Sequence, residues 1–100
     1  MSENNRDYGK YGMMRLRFLK EHRPTLCATM LSSGELSAHL LDVNARATAE
    51  VERLVSELKK INPPPHNGLS SPLAQVEWVG HMNALKAQAE EVVSRTLIYA

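Results

Sequence analysis

From Ser71 to Tyr99, apolar or small side chains recur at alternating steps of four and three, at Trp78, Met82, Leu85, Ala89, Val92, Thr96 and Tyr99. That spacing predicts one long helix with a single seam, anchored by Trp78, Met82, Leu85 and Val92. At 1.5 Å per residue such a helix runs about 42 Å, longer than a domain of this size is wide, so part of the seam is expected to meet a second copy of the chain. A second stripe, Ala47, Val51, Leu54, Val55, Leu58 and Ile61, has the i, i+3, i+4, i+7 period of a core-facing helix, with Asp42 or Asn44 as its expected cap.

Upstream the signals are shorter. Lys10 to Glu21 reads as a first helix with an unusually wide apolar surface: Tyr11, Met14 and Phe18 on one side, Met13, Leu16 and Leu19 on another. Pro24 ends it and opens a second helix, because proline disfavours helical geometry at Arg23 yet fits a first helical position. Ser33-Gly34 stops that helix, since glycine takes the left-handed cap conformation cheaply, and a short third helix from Glu35 to Leu41 follows. The stretch 62–71, with Pro63-Pro64-Pro65, is a stiff connection from which a recognition element is expected to project. Ser71 and Pro72 read as cap and first residue of the last helix. The expected organisation is a flexible polar arm over 1–9 and a single helical domain over 10–100.

Composition agrees with helices. Of 100 residues, 43% are hydrophobic but only five are aromatic, so the fold class is all-α, a small bundle of four to five helices with a long C-terminal one. No apolar run approaches the roughly 20 residues needed to span a bilayer, and the first residues are polar, so a cytoplasmic protein without membrane contact is expected. The lone Cys27 suits a core position.

The formal charge of +1 hides a gradient: residues 1–23 hold six Lys or Arg against three acids, and residues 24–100 hold six against eight. Lys10, Arg15, Arg17, Lys20 and Arg23 crowd the first helix, where they suit a phosphate backbone or an acidic protein surface. Solvated helix faces carry similar numbers of cations, so the ordinary reading stands beside the functional one.

Catalytic equipment is not visible in the sequence. His22, His39, His66 and His81 lack the spacing of a recognised metal motif, no glycine-rich phosphate loop occurs, and Glu90 and Glu91 diverge by about 100° on a helix. Neither cofactor, metal nor small-molecule substrate is expected. A helix-turn-helix reading of the Ser33-Gly34 turn fails, because no Lys or Arg lies between Pro24 and Ala45.

Taken in order, seven blocks resemble the TnpV family of small proteins encoded on transposons. They are Tyr11-Gly12-x-Met14-Arg15, Leu19-Lys20-Glu21-His22-Arg23-Pro24, Leu31-x-Ser33-Gly34-x-Leu36 with His39-Leu40, Val51-Glu52-Arg53-Leu54, Trp78-Val79-x-x-Met82-Asn83, Ala87-x-Ala89-Glu90-Glu91 and Leu97-Ile98-Tyr99. The resemblance spans Tyr11 to Tyr99 apart from the connection between Asn62 and Gln75. It implies an accessory, excisionase-like DNA-binding part in the mobility of an element. Within the blocks, Pro24, Gly34, Leu54, Trp78 and Met82 are explained by capping and packing. Tyr11, Arg15, Lys20, His22 and Arg23 call for solvent or a partner, and with Arg17 they form the expected nucleic-acid- or partner-binding set. The partners left open are DNA, a recombinase or a host protein, and a second copy of the chain. A protein-binding regulator of host machinery, such as an anti-CRISPR factor, or an assembly subunit is the alternative.

Overall fold

Helix formation starts one residue earlier than the hydrophobic pattern indicates, at Gly9. The computed structural model describes residues 8–100, which form α1 (Gly9–His22), α2 (Pro24–Ser33), α3 (Leu36–Ile61), α4 (Pro72–Val93) and a π-helical turn (Ser94–Ile98). The fold is all-α, with a long C-terminal helix in α4. None of the described helices is long and apolar enough to cross a membrane.

The chain divides into two compact units, one of residues up to 48 together with 94–100 and the other of residues 49–93. In the first unit, Leu16 and Leu19 of α1, Cys27 of α2, and Leu36 and Leu40 of α3 share a core with Tyr8. Met13 and Phe18 of α1 and Met30 of α2 pack against it, so that much of the wide apolar surface of α1 is covered. Tyr8 corrects the boundary of the polar arm. It is only 4% exposed, and its hydroxyl shares a 3.1 Å hydrogen bond with Ser37. Its ring provides apolar area that the preceding polar residues lack, while residues 1–7 of the expected arm lie outside the described residues.

Local signals set the helix ends. Pro24 is the first residue of α2, and at its other end Gly34 takes φ 82°. There Gly34 N–H donates to Leu31 O and Glu35 N–H to Met30 O, the pair of bonds of a Schellman cap. The expected third and fourth helices are one continuous helix, α3, because neither anticipated cap serves as one. Asp42 pairs along the helix with Arg46 at 3.5 Å. Asn44 instead turns its Oδ1 to α1, accepting from the N–H groups of Tyr11 (3.1 Å) and Gly12 (3.4 Å). It thus satisfies donors of the first turn of α1, where Tyr8 supplies no side-chain cap. Helices α1 and α3 approach so closely at this point that a Cβ on Gly12 would sit 2.9 Å from the Leu40 carbonyl oxygen.

In the second unit, Ser71 Oγ caps α4 by accepting from Ala74 N–H at 3.1 Å, and Pro72 is its first residue. The proline connection is tied down rather than projecting. His81 Nε2 donates to Asn62 O at 2.7 Å, and His66 Nε2 meets Glu77 Oε1 at 2.8 Å. Gly68, at φ 79°, sits against the Trp78 side chain so closely that a Cβ there would lie 2.9 Å from Trp78 Cβ.

The expected seam of the last helix needs one correction. Trp78 and Met82 are half-buried, and Leu85 and Ala89 are enclosed, but Val92 is 43% exposed while Val93 is fully buried. A straight α-helix advances 3.6 residues per turn, so the 3.5-residue repeat drifts, and a step of four from Ala89 lands on Val93. The π turn then adds a residue, with Tyr99 N–H donating to Ser94 O at 2.8 Å. Ile98 is enclosed in consequence, while Thr96 and Tyr99 remain exposed.

Candidate functional site

Helix α1 carries most of the expected binding residues, and the structure separates them into two groups. Arg15 points inward. Its Nε donates to His39 Nε2 at 3.1 Å, and its Nη1 donates to the main-chain oxygens of Ile98 (3.0 Å) and Ala100 (2.8 Å). The guanidinium therefore clasps the π turn to α1. Because Nε2 of His39 accepts, its ring proton sits on Nδ1. Burial lowers the pKa of Arg15, and the nearby positive charge of Arg23 lowers it further. Burial also lowers the pKa of His39, as do Arg15 and Arg46, against an opposing pull from Asp42.

Tyr11 is likewise internal, only 7% exposed, and Lys10 Nζ lies 5.7 Å from the centre of its ring. It is not presented as a surface for stacking. Arg17, Lys20, His22 and Arg23 are the exposed members of the set. Among the described residues, the side chains of Arg17, Lys20 and Arg23 have no hydrogen-bond or carboxylate partner, and His22 Nε2 lies 3.9 Å from Glu21 Oε1. Of the four cations of α3, Arg46, Arg53 and Lys60 each pair with an acid on their own helix, and among the described residues Lys59 does not.

Beside these cations lies a cleft lined by Met14, Arg17, Phe18, Glu21, His22 and Tyr99. Phe18 is its centre, with ring centroids of His22 at 5.1 Å and Tyr99 at 5.5 Å, tilted by 35° and 43°. The Arg15 guanidinium carbon stands 5.6 Å from the Phe18 ring centre. Sequence reasoning missed the contributions of His39, Phe18 and Tyr99 to this region, because the contacts Arg15–His39 and Phe18–Tyr99 join residues far apart in the chain. The sequence clues were the His39-Leu40 and Leu97-Ile98-Tyr99 blocks and the place of Phe18 on the apolar face of the first helix.

The anchors Trp78, Met82, Leu85 and Val92 belong to the other unit, where Leu69, Leu73, Val76 and Val79 are exposed. Among the described residues, no three His, Cys, Asp or Glu side chains come together in a way that could hold a metal ion. The cation-rich surface can attract phosphates, and the aromatic cleft can receive a flat ring.

A family model described as transposon-encoded protein TnpV matches residues 1–98. Comparison with curated proteins and with solved structures finds no match.

Proposed function

The chain belongs to the family of transposon-encoded TnpV proteins, and from that premise we propose that it is a non-enzymatic accessory protein of the mobile element, engaging DNA or a complex assembled on DNA through the exposed basic surface of α1. The observation that carries this reading is the trio Arg17, Lys20 and Arg23, exposed and without acidic partners among the described residues. Arg15 and Tyr11 support that surface from within: Arg15 fixes the neighbouring turn, and Tyr11 helps to seat α1.

Three phosphate contacts correspond to a log–log salt slope of about −2.7, roughly 40-fold in affinity between about 50 and about 200 mM salt. Fluorescence anisotropy with a labelled oligonucleotide at those two concentrations tests the reading. Alanine at Arg17 and Lys20 together is expected to weaken binding and reduce the slope by about two. Salt-insensitive binding, or an unchanged slope in the double variant, refutes it.

A protein partner is the second reading, favoured by the exposed Leu69, Leu73, Val76 and Val79 on and beside α4. A recombinase, a host protein or a second copy of the chain would each bury those side chains. Light scattering across a concentration series reads the last of these directly, with Val76→Glu expected to abolish any dimer.

A further inference from the structure

We propose that the Phe18–His22–Tyr99 cleft receives an unpaired nucleic-acid base, so that the protein prefers single-stranded DNA, or DNA with an extruded nucleotide, over intact duplex. This inference rests on the reading that α1 meets nucleic acid, and it specifies which form of nucleic acid.

Three features of the cleft support a flat, electron-rich occupant attached to phosphate. The first is ring geometry. His22 and Tyr99 flank Phe18 at tilts of 35° and 43°, so the three rings form a stepped surface rather than a closed stack. Tyr99 is 46% exposed and His22 is exposed, which leaves π-faces available to a fourth ring. Bases inside a duplex are already stacked and present only their edges, whereas an unstacked base offers a full face to aromatic side chains.

The second feature is how Tyr99 is held. The π turn carries it past the enclosed Ile98, and Arg15 grips the main-chain oxygens of Ile98 and Ala100, one on either side of it. A tyrosine placed this way loses less freedom when it stacks, which favours binding. Helical turns of the π type recur at functional sites, consistent with a side chain aimed by an added residue.

The third feature is charge. Arg17 lines the cleft, and Arg15 and Arg23 stand close enough that their mutual repulsion contributes to the lowered pKa of Arg15. A phosphate arriving with its base relieves that repulsion. Glu21 is the opposing group on the rim, a largely exposed carboxylate 3.9 Å from His22 Nε2. It would repel a phosphate there, so Glu21→Gln is expected to tighten binding.

The test compares an oligothymidylate with a duplex of equal length by anisotropy at about 50 mM salt, using the full chain. The wild type is expected to bind the single strand more tightly. Tyr99→Ala should lower single-strand affinity roughly tenfold and leave duplex affinity unchanged, and Tyr99→Phe should retain it. Arg17→Ala with Lys20→Ala should weaken both. Photocrosslinking of the wild-type protein to a single strand carrying 5-iododeoxyuridine gives a readout independent of any variant's folding. Adducts on Phe18, His22 or Tyr99 support the proposal.

Equal affinity for both forms, with Tyr99→Ala altering neither, overturns the base-binding cleft while leaving the phosphate-binding surface of α1 standing. Adducts confined to residues outside the cleft also overturn it. Absence of binding to either oligonucleotide overturns the cleft and the proposed function together.

Discussion

Replacing Arg15 by alanine removes a side chain that joins α1, α3 and the π turn. Three hydrogen bonds are lost: to His39 Nε2, to Ile98 O and to Ala100 O. The bond to Ala100 is exposed and contributes little, whereas the other two are part-buried. Bonds from a charged donor contribute about 1.5–3 kcal/mol when well shielded, and partial access to water reduces these two to about 1 kcal/mol each. Lost contact with Phe18 adds about 0.5 kcal/mol, and relief of the repulsion from Arg23 takes back a similar amount. The net cost is about 2 kcal/mol, or a fall in melting temperature of about 10 °C for a domain of this size.

Thermal and urea unfolding followed by circular dichroism measure that cost, with Arg17→Ala as the exposed control, expected within about 0.5 kcal/mol of wild type. Hydrogen exchange localises it, because amides of 94–100 should lose protection first in Arg15→Ala. An intermediate value is expected for Arg15→Lys, since one ammonium cannot reach His39 and the two carbonyls at once. If Arg15→Ala melts with Arg17→Ala and the 94–100 amides keep their protection, the clasp contributes nothing and the reasoning is wrong.

Two further predictions concern the same unit. His39 has its pKa lowered below 6.5 in the fold, so the unfolded chain binds more protons in the window beneath that value. Its contribution is therefore complete above about pH 6.5 and is lost as pH falls through the lowered folded pKa; titration of the His39 ring by NMR should show a midpoint below 6.5, and His39→Gln should flatten that part of the pH–stability curve. Asn44→Ala deprives the Tyr11 and Gly12 N–H groups of their acceptor and should cost about 1–2 kcal/mol in urea unfolding. A loss below about 0.3 kcal/mol would mean that water caps α1 equally well.

Features written in adjacent residues were legible in the sequence. Pro24, Ser33-Gly34 and Ser71-Pro72 mark helix ends because each acts on backbone within a turn of itself, and the structure uses all three as read. The family, too, could be read from the ordered blocks. Asn44 was misread for the opposite reason. Capping residues look alike whether they serve their own helix or another, and its partners lie 32 and 33 residues away. Val92 and Val93 could not be told apart without knowing whether the helix supercoils, and the π turn has no local signature. Charge was legible as an excess near the start of the chain. Its division into an inward Arg15 and outward Arg17, Lys20 and Arg23 depends on where the distant 98–100 main chain runs.

The π turn makes the aromatic cleft tolerant of a one-residue deletion but sensitive to how the turn is wound. Removing one residue between 95 and 98 would turn the Tyr99 N–H to Ser94 O bond from an i−5 into an ordinary i−4 bond, so the segment would become α-helical with Tyr99 close to its present place. Rewinding the same five residues as α-helix with none removed would instead turn Tyr99 by about 100°, away from Phe18. Winding, more than length, thus governs where the tyrosine ring points, and natural variants that lose one residue there would be expected to keep an aromatic side chain opposite Phe18.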